Sequence, residues 1–259
     1  MPTPTLPPAF VISLPESTER RDRITGRLGD LGFSYHIFEA VDGRQMDVTQ
    51  HPDYDRPRRL RCFGRDLLGA EVGCFLSHRG ALERIANEGL ACALVMEDDA
   101  ILQDSLPDVI EALMLHKPMP DLVRFIGKDK VYNAPQKHIA NLTPNHHLVR
   151  LQGTPGGSYA YFVSAAGARK LLHAMARIYM PVDTVMGHSW CTGVDNLVSV
   201  PSPVTHDFLE DTYIGDQRFD KSVQAQGLTR ALFPLTRFAF KTCENVMKRV
   251  NFAMRNMRG

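Results

Sequence analysis

The chain has 259 residues, of which 44% are hydrophobic and 23% charged, with 30 Lys or Arg residues against 29 Asp or Glu residues. This composition is typical of a folded globular protein and excludes a disordered, collagen-like or repetitive chain. The formal charge of +1 is far below that of a protein whose whole surface binds nucleic acid, so we expect no nucleic-acid partner.

The hydrophobic pattern predicts helices and strands that alternate along the chain. In the first part, the predicted elements are a strand at 10–14, a helix at 18–31, a strand at 33–39, an irregular polar loop at 44–66 and a helix at 70–88. The later ones are a strand at 91–96, a helix to residue 115, strands at 121–126, 147–152 and 158–164, and a helix at 165–178. The predicted helix caps are Ser17 or Thr18, Ser105 (in a capping box with Asp108) and Ser164. This alternation favours an α/β fold with a central sheet that is parallel at least in its first half.

The C-terminal segment differs from the rest of the chain in charge. Residues 230–259 contain seven Lys or Arg residues and one acid, Glu244, a net charge of +6 that leaves −5 on residues 1–229. We therefore predict one domain over 1–229 and a basic amphipathic helical tail over 230–259. On one side of that helix lie Cys243, Val246, Met247, Val250, Met254 and Met257. On the opposite side lie Arg237, Lys241, Lys248 and Arg255.

Two interpretations of this tail remain open from the sequence. A basic segment beside an apolar stripe suits an anionic membrane surface. Alternatively, the stripe packs on the domain and the bases form a solvated face. The sequence has neither a secretory signal nor a run of about 20 apolar residues, and its five scattered cysteines predict neither a disulfide framework nor a thiolate zinc site. We expect a cytoplasmic protein, peripheral on the cytoplasmic face of the inner membrane if the tail binds lipid.

Three acidic residues, Glu97-Asp98-Asp99, directly follow the six uncharged residues 91–96. An apolar strand that ends in acids places them at the carboxyl edge of a parallel sheet, where open α/β sheets bind ligands. Strand alternation puts Glu97 and Asp99 on one side and Asp98 on the other. Two carboxylates on one side can hold Mg²⁺ or Mn²⁺. The competing interpretation is a solvated acidic loop, which is the commoner one for a bare acidic triplet.

Two further segments combine glycine with polar residues. In Gly69–His78, small residues allow a helix to start close to the sheet or to a ligand, and Ser77 and His78 lie off the apolar stripe. Either Ser77 and His78 face a polar pocket, or the segment only packs tightly and its one histidine has a hydrogen-bond partner. In residues 153–164, a Gly-Gly pair precedes a strand that carries Tyr161. Neither segment has the GxGxxG or P-loop pattern of a dinucleotide or ATP site.

Two single residues complete the candidates. Asp183, after the turn at Pro181, is either a helix cap or a general base for an acceptor hydroxyl, with Asp195 and Asp207 as the next candidates. His206 lies at an apolar-to-polar transition late in the chain, from which it could reach back to the acidic site.

Taken in order, these segments resemble glycosyltransferase family 25, which includes bacterial lipooligosaccharide galactosyltransferases and collagen galactosyltransferases. The resemblance spans about residues 10–215 and is carried by Phe10–Leu14 with Arg20-Arg21, Phe38–Gly43, Gly73–His78, Leu94–Asp99, Tyr159–Tyr161, Gly167–Leu172, Pro181–Asp183 and Thr205-His206. One position departs from the family. Many relatives have Ile-Asn-Leu in the first strand, where this chain has Ile12-Ser13-Leu14.

The resemblance implies a GT-A fold, a nucleotide-sugar donor (usually UDP-galactose), a divalent metal, Mn²⁺ or Mg²⁺, and inversion at the transferred sugar. It implies metal contacts at Glu97, Asp99 and His206, and a catalytic base at Asp183. The residues that it places on the donor side are Ser13, Arg20, Asp42, Gly43, Ser77, His78, Glu97, Asp98 and Tyr161. The implied acceptor is a lipopolysaccharide-type, lipid-linked saccharide.

Two other functions fit parts of the pattern. A catalytically inactive relative would bind a nucleotide sugar or act as a membrane scaffold, although Glu97, Asp99 and Asp183 are all present. A metal-dependent phosphohydrolase would use the acidic triplet but needs a second ligand cluster of two-metal spacing, which the sequence lacks.

Overall fold

The computed structural model describes residues 5–206 and 222–258. Its strands are β1 (Ala9–Ser13), β2 (Tyr35–Glu39), β3 (Cys92–Glu97), β4 (Ala100–Leu102), β5 (Leu122–Arg124), β6 (Gln136–Thr143), β7 (His146–Leu151), β8 (Ala160–Ser164), β9 (Leu197–Val200) and β10 (Val204–His206). Its α-helices are α1 (Thr18–Asp30), α2 (Arg56–Phe63), α3 (Gly69–Asn87), α4 (Leu106–Leu115), α5 (Asp129–Tyr132), α6 (Ala165–Ala174), α7 (Val182–Gly187), α8 (Ser189–Thr192) and α9 (Gly227–Arg258), and a 3-10 turn covers Val48–Gln50.

Eight strands form one sheet in the order β2-β1-β3-β8-β5-β9-β7-β6, and β4 pairs with β10 in a separate two-stranded ribbon. Strand β1 pairs in parallel with β2 and β3, and β5 pairs in parallel with β9. Strand β8 is antiparallel to both of its neighbours, and β7 to both of its own. In the described sheet, every strand except β7 and β8 therefore runs in the same direction. The predicted α/β fold with a mostly parallel sheet is confirmed.

The two faces of the sheet bury separate apolar clusters. One cluster packs α3, α6 and α7 against residues such as Phe10, Val95 and Tyr161. The other packs α1 and α4 against residues such as Leu94 and Phe162. Because β1 and β3 are covered on both faces, their residues are almost all apolar rather than alternating. This is why the apolar runs at 10–14 and 91–96 were recognisable as strands.

The loop predicted at 44–66 was wrong for part of its length, because it contains α2. The side chain of Asp55 caps the helix by accepting a hydrogen bond from Arg58 N, and Gly64 ends it at φ 81°. Its arginines do not all face solvent. Arg59 is buried, and its guanidinium donates to the carbonyl oxygen of Arg65. An arginine-rich composition favours a surface loop, because the sequence does not show that a carbonyl oxygen accepts a hydrogen bond from a buried guanidinium.

The predicted caps have different outcomes. Ser164 caps α6 as expected, accepting a hydrogen bond from Gly167 N. Ser105 precedes α4 but makes no side-chain cap bond, and its hydroxyl lies 3.2 Å from His146 Nε2. The capping box with Asp108 is therefore wrong, because a tertiary partner takes the hydroxyl.

Helix α9 begins at Gly227, three residues before the predicted start of the tail, and packs against α2 and α8. It packs through its basic side: Arg237 donates to the carbonyl oxygen of Cys62, and Arg255 to that of Gly193. Lys241 and Lys248 bond the buried Glu244 at 2.7 and 2.8 Å. The predicted apolar stripe faces solvent instead: Val246, Val250 and Met254 are 52%, 42% and 44% exposed, and Met257 is 78% exposed. The alternative in which the stripe packs on the domain is therefore wrong.

No helix in the described part of the chain is both long enough and apolar enough to cross a membrane. The division into residues 1–229 and 230–259 stays a prediction.

Candidate active site

A cavity of about 640 Å³ opens where the carboxyl ends of β1 and β3 meet the first turns of α3 and α7. The predicted site residues that line it are Ser13, Arg20, Asp42, Gly43, Ser77, His78, Glu97, Asp98, Asp99, Asp183 and His206. Tyr161, also predicted on the donor side, is fully buried and does not line it, because β8 is a central strand. The volume is within the usual range for a small-molecule site, about 300–1,000 Å³.

The three acids at the end of β3 all line the cavity, but each turns to a different partner. The strand ends at Glu97, and a turn at residues 98–99 interrupts the predicted alternation of sides before β4 begins. Asp98 accepts a hydrogen bond of 2.7 Å from the Ser13 hydroxyl and lies 3.9 Å from the Arg20 guanidinium. Burial raises the pKa of the Asp98 carboxyl above its ordinary value.

Glu97 turns toward the helix α3 side of the cavity. Its Oε1 lies 3.3 Å from His78 Nε2 and accepts a hydrogen bond of 3.1 Å from the Ser158 hydroxyl. His78 Nδ1 lies 3.1 Å from the hydroxyl of Tyr161. Tyr161 therefore does not line the cavity itself, but its hydroxyl orients the ring of His78, which does.

Asp99 turns toward β10. Its Oδ2 lies 2.9 Å from His206 Nε2, so the predicted return of His206 to the acidic end is present in the fold. The hydrogen bond to Asp99 raises the pKa of His206 above its ordinary value. Among the described residues, the buried Oδ1 of Asp99 has no hydrogen-bond partner. A buried carboxylate oxygen without a donor, next to an imidazole, fits a divalent cation.

The Asp42-Gly43 turn is held against the start of α3 by close backbone contact. Val41 N donates to Ser77 Oγ at 2.8 Å, so the predicted polar residue Ser77 anchors this turn. A Cβ atom on Gly43 would lie 2.0 Å from the carbonyl oxygen of Gly69. The Asp42 carboxylate is exposed and bonds Arg44 at 2.8 and 2.7 Å. The glycines seen in the sequence are therefore required for this wall of the cavity.

Asp183 lies in the first turn of α7, which begins after Pro181. Its Oδ2 accepts a hydrogen bond of 3.0 Å from Gly157 N, and its Oδ1 accepts one of 3.2 Å from the Thr184 hydroxyl. The carboxylate is therefore oriented by the glycine loop that precedes β8. Of the alternative bases, Asp195 is bonded to Arg150 at 2.8 Å, and Asp207 lies outside the described residues.

Sequence reasoning missed a buried arginine behind Asp183. Arg124 is 1% exposed, and it donates to the carbonyl oxygen of Pro155 at 3.0 Å and to Asn196 Oδ1 at 2.8 Å. Burial lowers the pKa of its guanidinium to about 10. The sequence feature that indicates this buried arginine is a single charged residue inside the otherwise apolar run 122–126. Lys128, Ser158 and Cys74 also line the cavity and were not predicted.

Comparison of the sequence with known proteins finds relatives of this chain. A sequence model described as glycosyltransferase family 25 (LPS biosynthesis protein) matches residues 6–186. The chain is 35% identical over 189 residues to the Bos taurus protein named probable inactive glycosyltransferase 25 family member 3, covering 67% of this chain and 30% of that protein. It is 34% identical over 195 residues to the Homo sapiens protein named inactive glycosyltransferase 25 family member 3, covering 67% of this chain and 30% of that protein.

The chain is also 30% identical over 191 residues to procollagen galactosyltransferase 1-A of Xenopus laevis, covering 67% of this chain and 29% of that protein. The matches thus span less than a third of the length of these relatives. Residues 6–186, which the family model matches, include β1, the acids after β3 and Asp183, whereas His206 lies beyond them. On the family match over residues 6–186, the chain belongs to glycosyltransferase family 25.

Proposed function

We propose that the chain is a metal-dependent, inverting glycosyltransferase that moves a hexose, galactose from UDP-galactose, to a lipopolysaccharide-type saccharide. The observation that carries this proposal is the placement of Asp99 and Asp183 on the wall of one cavity. Displacement at an anomeric carbon needs charge stabilisation on the leaving side and a base on the acceptor side. The acids after β3 would hold the cation that stabilises the leaving group, and the acid on α7 would be the base.

On the leaving side, Asp99 and His206 would hold a divalent metal. Glu97, the third predicted metal contact, lines the same cavity but turns to His78 and Ser158 rather than to this pair. When bound, such a metal neutralises charge that builds up on a departing diphosphate. Ser13, Arg20 and Asp98 form a hydrogen-bonded and ionic group that lines the same cavity, as does the Asp42-Gly43 turn. These residues would bind and orient the nucleotide part of the donor.

On the acceptor side, Asp183 would take the proton from the attacking hydroxyl. Its two hydrogen-bond donors, Gly157 N and the Thr184 hydroxyl, hold the carboxylate in one orientation. A positioned base of this kind usually contributes about 10²–10⁴-fold to the rate. The buried guanidinium of Arg124 supports the backbone of the same loop through Pro155.

The test of this assignment is a transfer assay that measures release of UDP with and without a saccharide acceptor. Asp183→Asn is expected to lose transfer by about 10²–10⁴-fold while its affinity for UDP-galactose stays near that of wild type. Asp195→Asn is the matched control, because that carboxylate bonds Arg150 and does not line the cavity. Turnover that survives in Asp183→Asn would place the base elsewhere.

The metal is tested separately through donor binding. Asp99→Asn is expected to weaken Mn²⁺-dependent binding of UDP-galactose and to leave the circular dichroism spectrum unchanged, because it removes a charged oxygen at a turn. Unchanged metal-dependent affinity in this variant would contradict the assignment of Asp99.

A second function is favoured by the names of two of the relatives, which are called inactive. In that case the chain would bind a nucleotide sugar without transferring it. Donor-dependent thermal stabilisation with no UDP release, across a screen of acceptors, would support this alternative. A phosphohydrolase would release UDP without any acceptor.

We further propose that the exposed side of α9 lies on an anionic membrane surface, on the cytoplasmic face of the inner membrane, where it brings the cavity to a lipid-linked acceptor. The exposed side carries large apolar residues together with Arg230 and Arg249, while the single acid of the helix, Glu244, is buried. An apolar face flanked by bases and free of acids is complementary to anionic headgroups. Each base near such a surface contributes on the order of 1 kcal/mol.

Sedimentation with liposomes tests this partner. The wild-type chain is expected to pellet with anionic vesicles at low salt and much less with neutral vesicles. Phe238→Glu is expected to reduce the bound fraction severalfold, whereas Leu115→Glu, an exposed apolar position on α4, should not. Equal binding of the two variants would exclude α9 as the membrane contact.

A further inference from the structure

A cysteine, a histidine and a glutamate come together on the cavity wall. Cys74 Sγ, a ring nitrogen of His78 and a carboxylate oxygen of Glu97 all lie within 4.8 Å of one another. This is the one group of three potential metal ligands with such spacing in the described parts of the chain. The thiol of Cys74 has no part in the transfer proposed above.

The secondary structure explains why these atoms converge. Cys74 and His78 are four residues apart on α3, so their side chains project from the same face of the helix, and Glu97 approaches from the end of β3. Two helical ligands at this spacing with a third from another element are a recurrent zinc arrangement. His78 is buried while Cys74 and Glu97 are half-buried, and all three line the cavity, so a fourth position faces its interior.

Neighbouring groups orient the histidine for this role. The hydroxyl of Tyr161 lies at His78 Nδ1, which leaves Nε2 facing Glu97. A phenol hydroxyl can accept a hydrogen bond as well as donate one, so Nδ1 can carry the ring proton when Nε2 binds a cation. Outer partners of this kind fix the ring orientation of metal-bound histidines.

We infer that Cys74, His78 and Glu97 form a binding site for Zn²⁺ or a similar thiophilic divalent cation. Thiolate and imidazole ligands suit zinc, whereas Mg²⁺ and Mn²⁺ prefer oxygen. On binding, the Cys74 thiol releases its proton to solvent and Sγ bonds the metal. A cation held here occupies the wall of the cavity formed by His78 and Glu97, which the proposed function assigns to the donor, and so inhibits transfer; this consequence rests on the proposed function. The sequence alone predicted no zinc site, because no CxxC pair is present.

Titration of the full chain with Co²⁺, a spectroscopic substitute for Zn²⁺, tests the site directly. The wild-type chain is expected to show the ultraviolet charge-transfer band of a thiolate–cobalt bond, and added Zn²⁺ is expected to abolish it. Cys74→Ser should lose the band and bind Zn²⁺ at least about 10-fold more weakly. Cys243→Ser removes an exposed cysteine on α9 and should retain both properties, which makes it the matched control.

A second variant keeps the test decisive if Cys74→Ser, which changes a residue of α3, fails to fold. Glu97→Gln changes a half-buried residue at a strand end and should weaken Co²⁺ binding about 10-fold while the thiolate band remains at saturation. A wild-type chain without the band, a Cys74→Ser variant that keeps it, or unchanged affinity in Glu97→Gln would each overturn the site.

The inhibitory consequence has its own readout. Zn²⁺ added with excess Mn²⁺ should inhibit transfer by the wild-type chain and should inhibit Cys74→Ser at least about 10-fold less strongly. Equal inhibition of the two would refute this consequence. If the wild-type chain transfers no sugar, the proposed function fails, whereas the Co²⁺ titration still decides whether the metal site exists.

Discussion

Gly43 lies so close to the first turn of α3 that the structure leaves no room for a side chain there. A Cβ atom at this position would meet the carbonyl oxygen of Gly69 at 2.0 Å and Gly73 N at 3.0 Å. The reverse contact is equally close, because a Cβ on Gly69 would lie 2.1 Å from the carbonyl oxygen of Gly43. Gly43→Ala should therefore destabilise the protein and disturb the donor wall of the cavity.

The size of the effect follows from this geometry. Separations under 3.0 Å are essentially absent for real Cβ atoms, so the turn and the helix must move apart by about 1 Å. The obstacle is helix backbone, which cannot rotate away as a side chain would. Overpacking usually costs about 1–3 kcal/mol, and we expect about 3 kcal/mol here. For a chain of this length that corresponds to a fall in Tm of about 6–12 °C.

Thermal unfolding followed by circular dichroism measures this change, and UDP-galactose binding reports on the cavity wall. Gly26→Ala is the matched control, because Gly26 is exposed within α1 and its Cβ would meet no atom within 4 Å. The helix propensity of alanine should make that variant neutral or more stable by up to about 1 kcal/mol. The reasoning is refuted if Gly43→Ala melts within about 1 °C of wild type.

Three further predictions concern buried polar groups. Arg124→Lys should lower the free energy of unfolding in urea by about 3 kcal/mol, because it breaks the bonds to Pro155 and Asn196; a loss below about 0.5 kcal/mol would refute this. Tyr161→Phe should cost about 1–2 kcal/mol in the same assay, because it leaves His78 Nδ1 without its hydroxyl partner. Burial raises the pKa of Glu244, but the bonds from Lys241 and Lys248 outweigh it and lower the pKa to about 2. Ionised Glu244 therefore stabilises the fold above pH 4.5 and loses this contribution as pH falls toward 2, so the deficit of Glu244→Gln, about 1–3 kcal/mol at neutral pH, should disappear in acid.

Local sequence was enough for the parts of the fold in which each residue's polarity matches its surroundings. The run 91–96 is uncharged because β3 is covered on both faces, and the acids begin where that strand leaves the core. The glycines at 69 and 73 and the Gly-Gly pair before β8 indicated close backbone approach, which the structure contains at Gly43 and Asp183. These signals were sufficient to name most residues that line the cavity.

Two of the misses are buried arginines: Arg59 lies in the segment predicted as a surface loop, and Arg124 lies in a predicted strand but was not singled out. Arg59 in α2 and Arg124 in β5 are buried, because carbonyl oxygens and an amide from distant segments accept their hydrogen bonds. The short strands β9 and β10 were also missed, and β10 carries His206 to Asp99. Their partners lie far away in the chain, so no local pattern reveals them.

The sequence by itself therefore determined the α/β class, the order of the main elements and the amphipathic character of α9, because helix and strand periodicity depends on neighbouring residues alone. Only the tertiary structure decided which side of α9 packs inward. On that side Arg237 donates a hydrogen bond to the carbonyl oxygen of Cys62, and Glu244 forms ion pairs with Lys241 and Lys248. It also brought Cys74, His78 and Glu97 within bonding range of one cation. Both results depend on contacts between segments that are distant in sequence, and such contacts leave no trace in local hydrophobic periodicity.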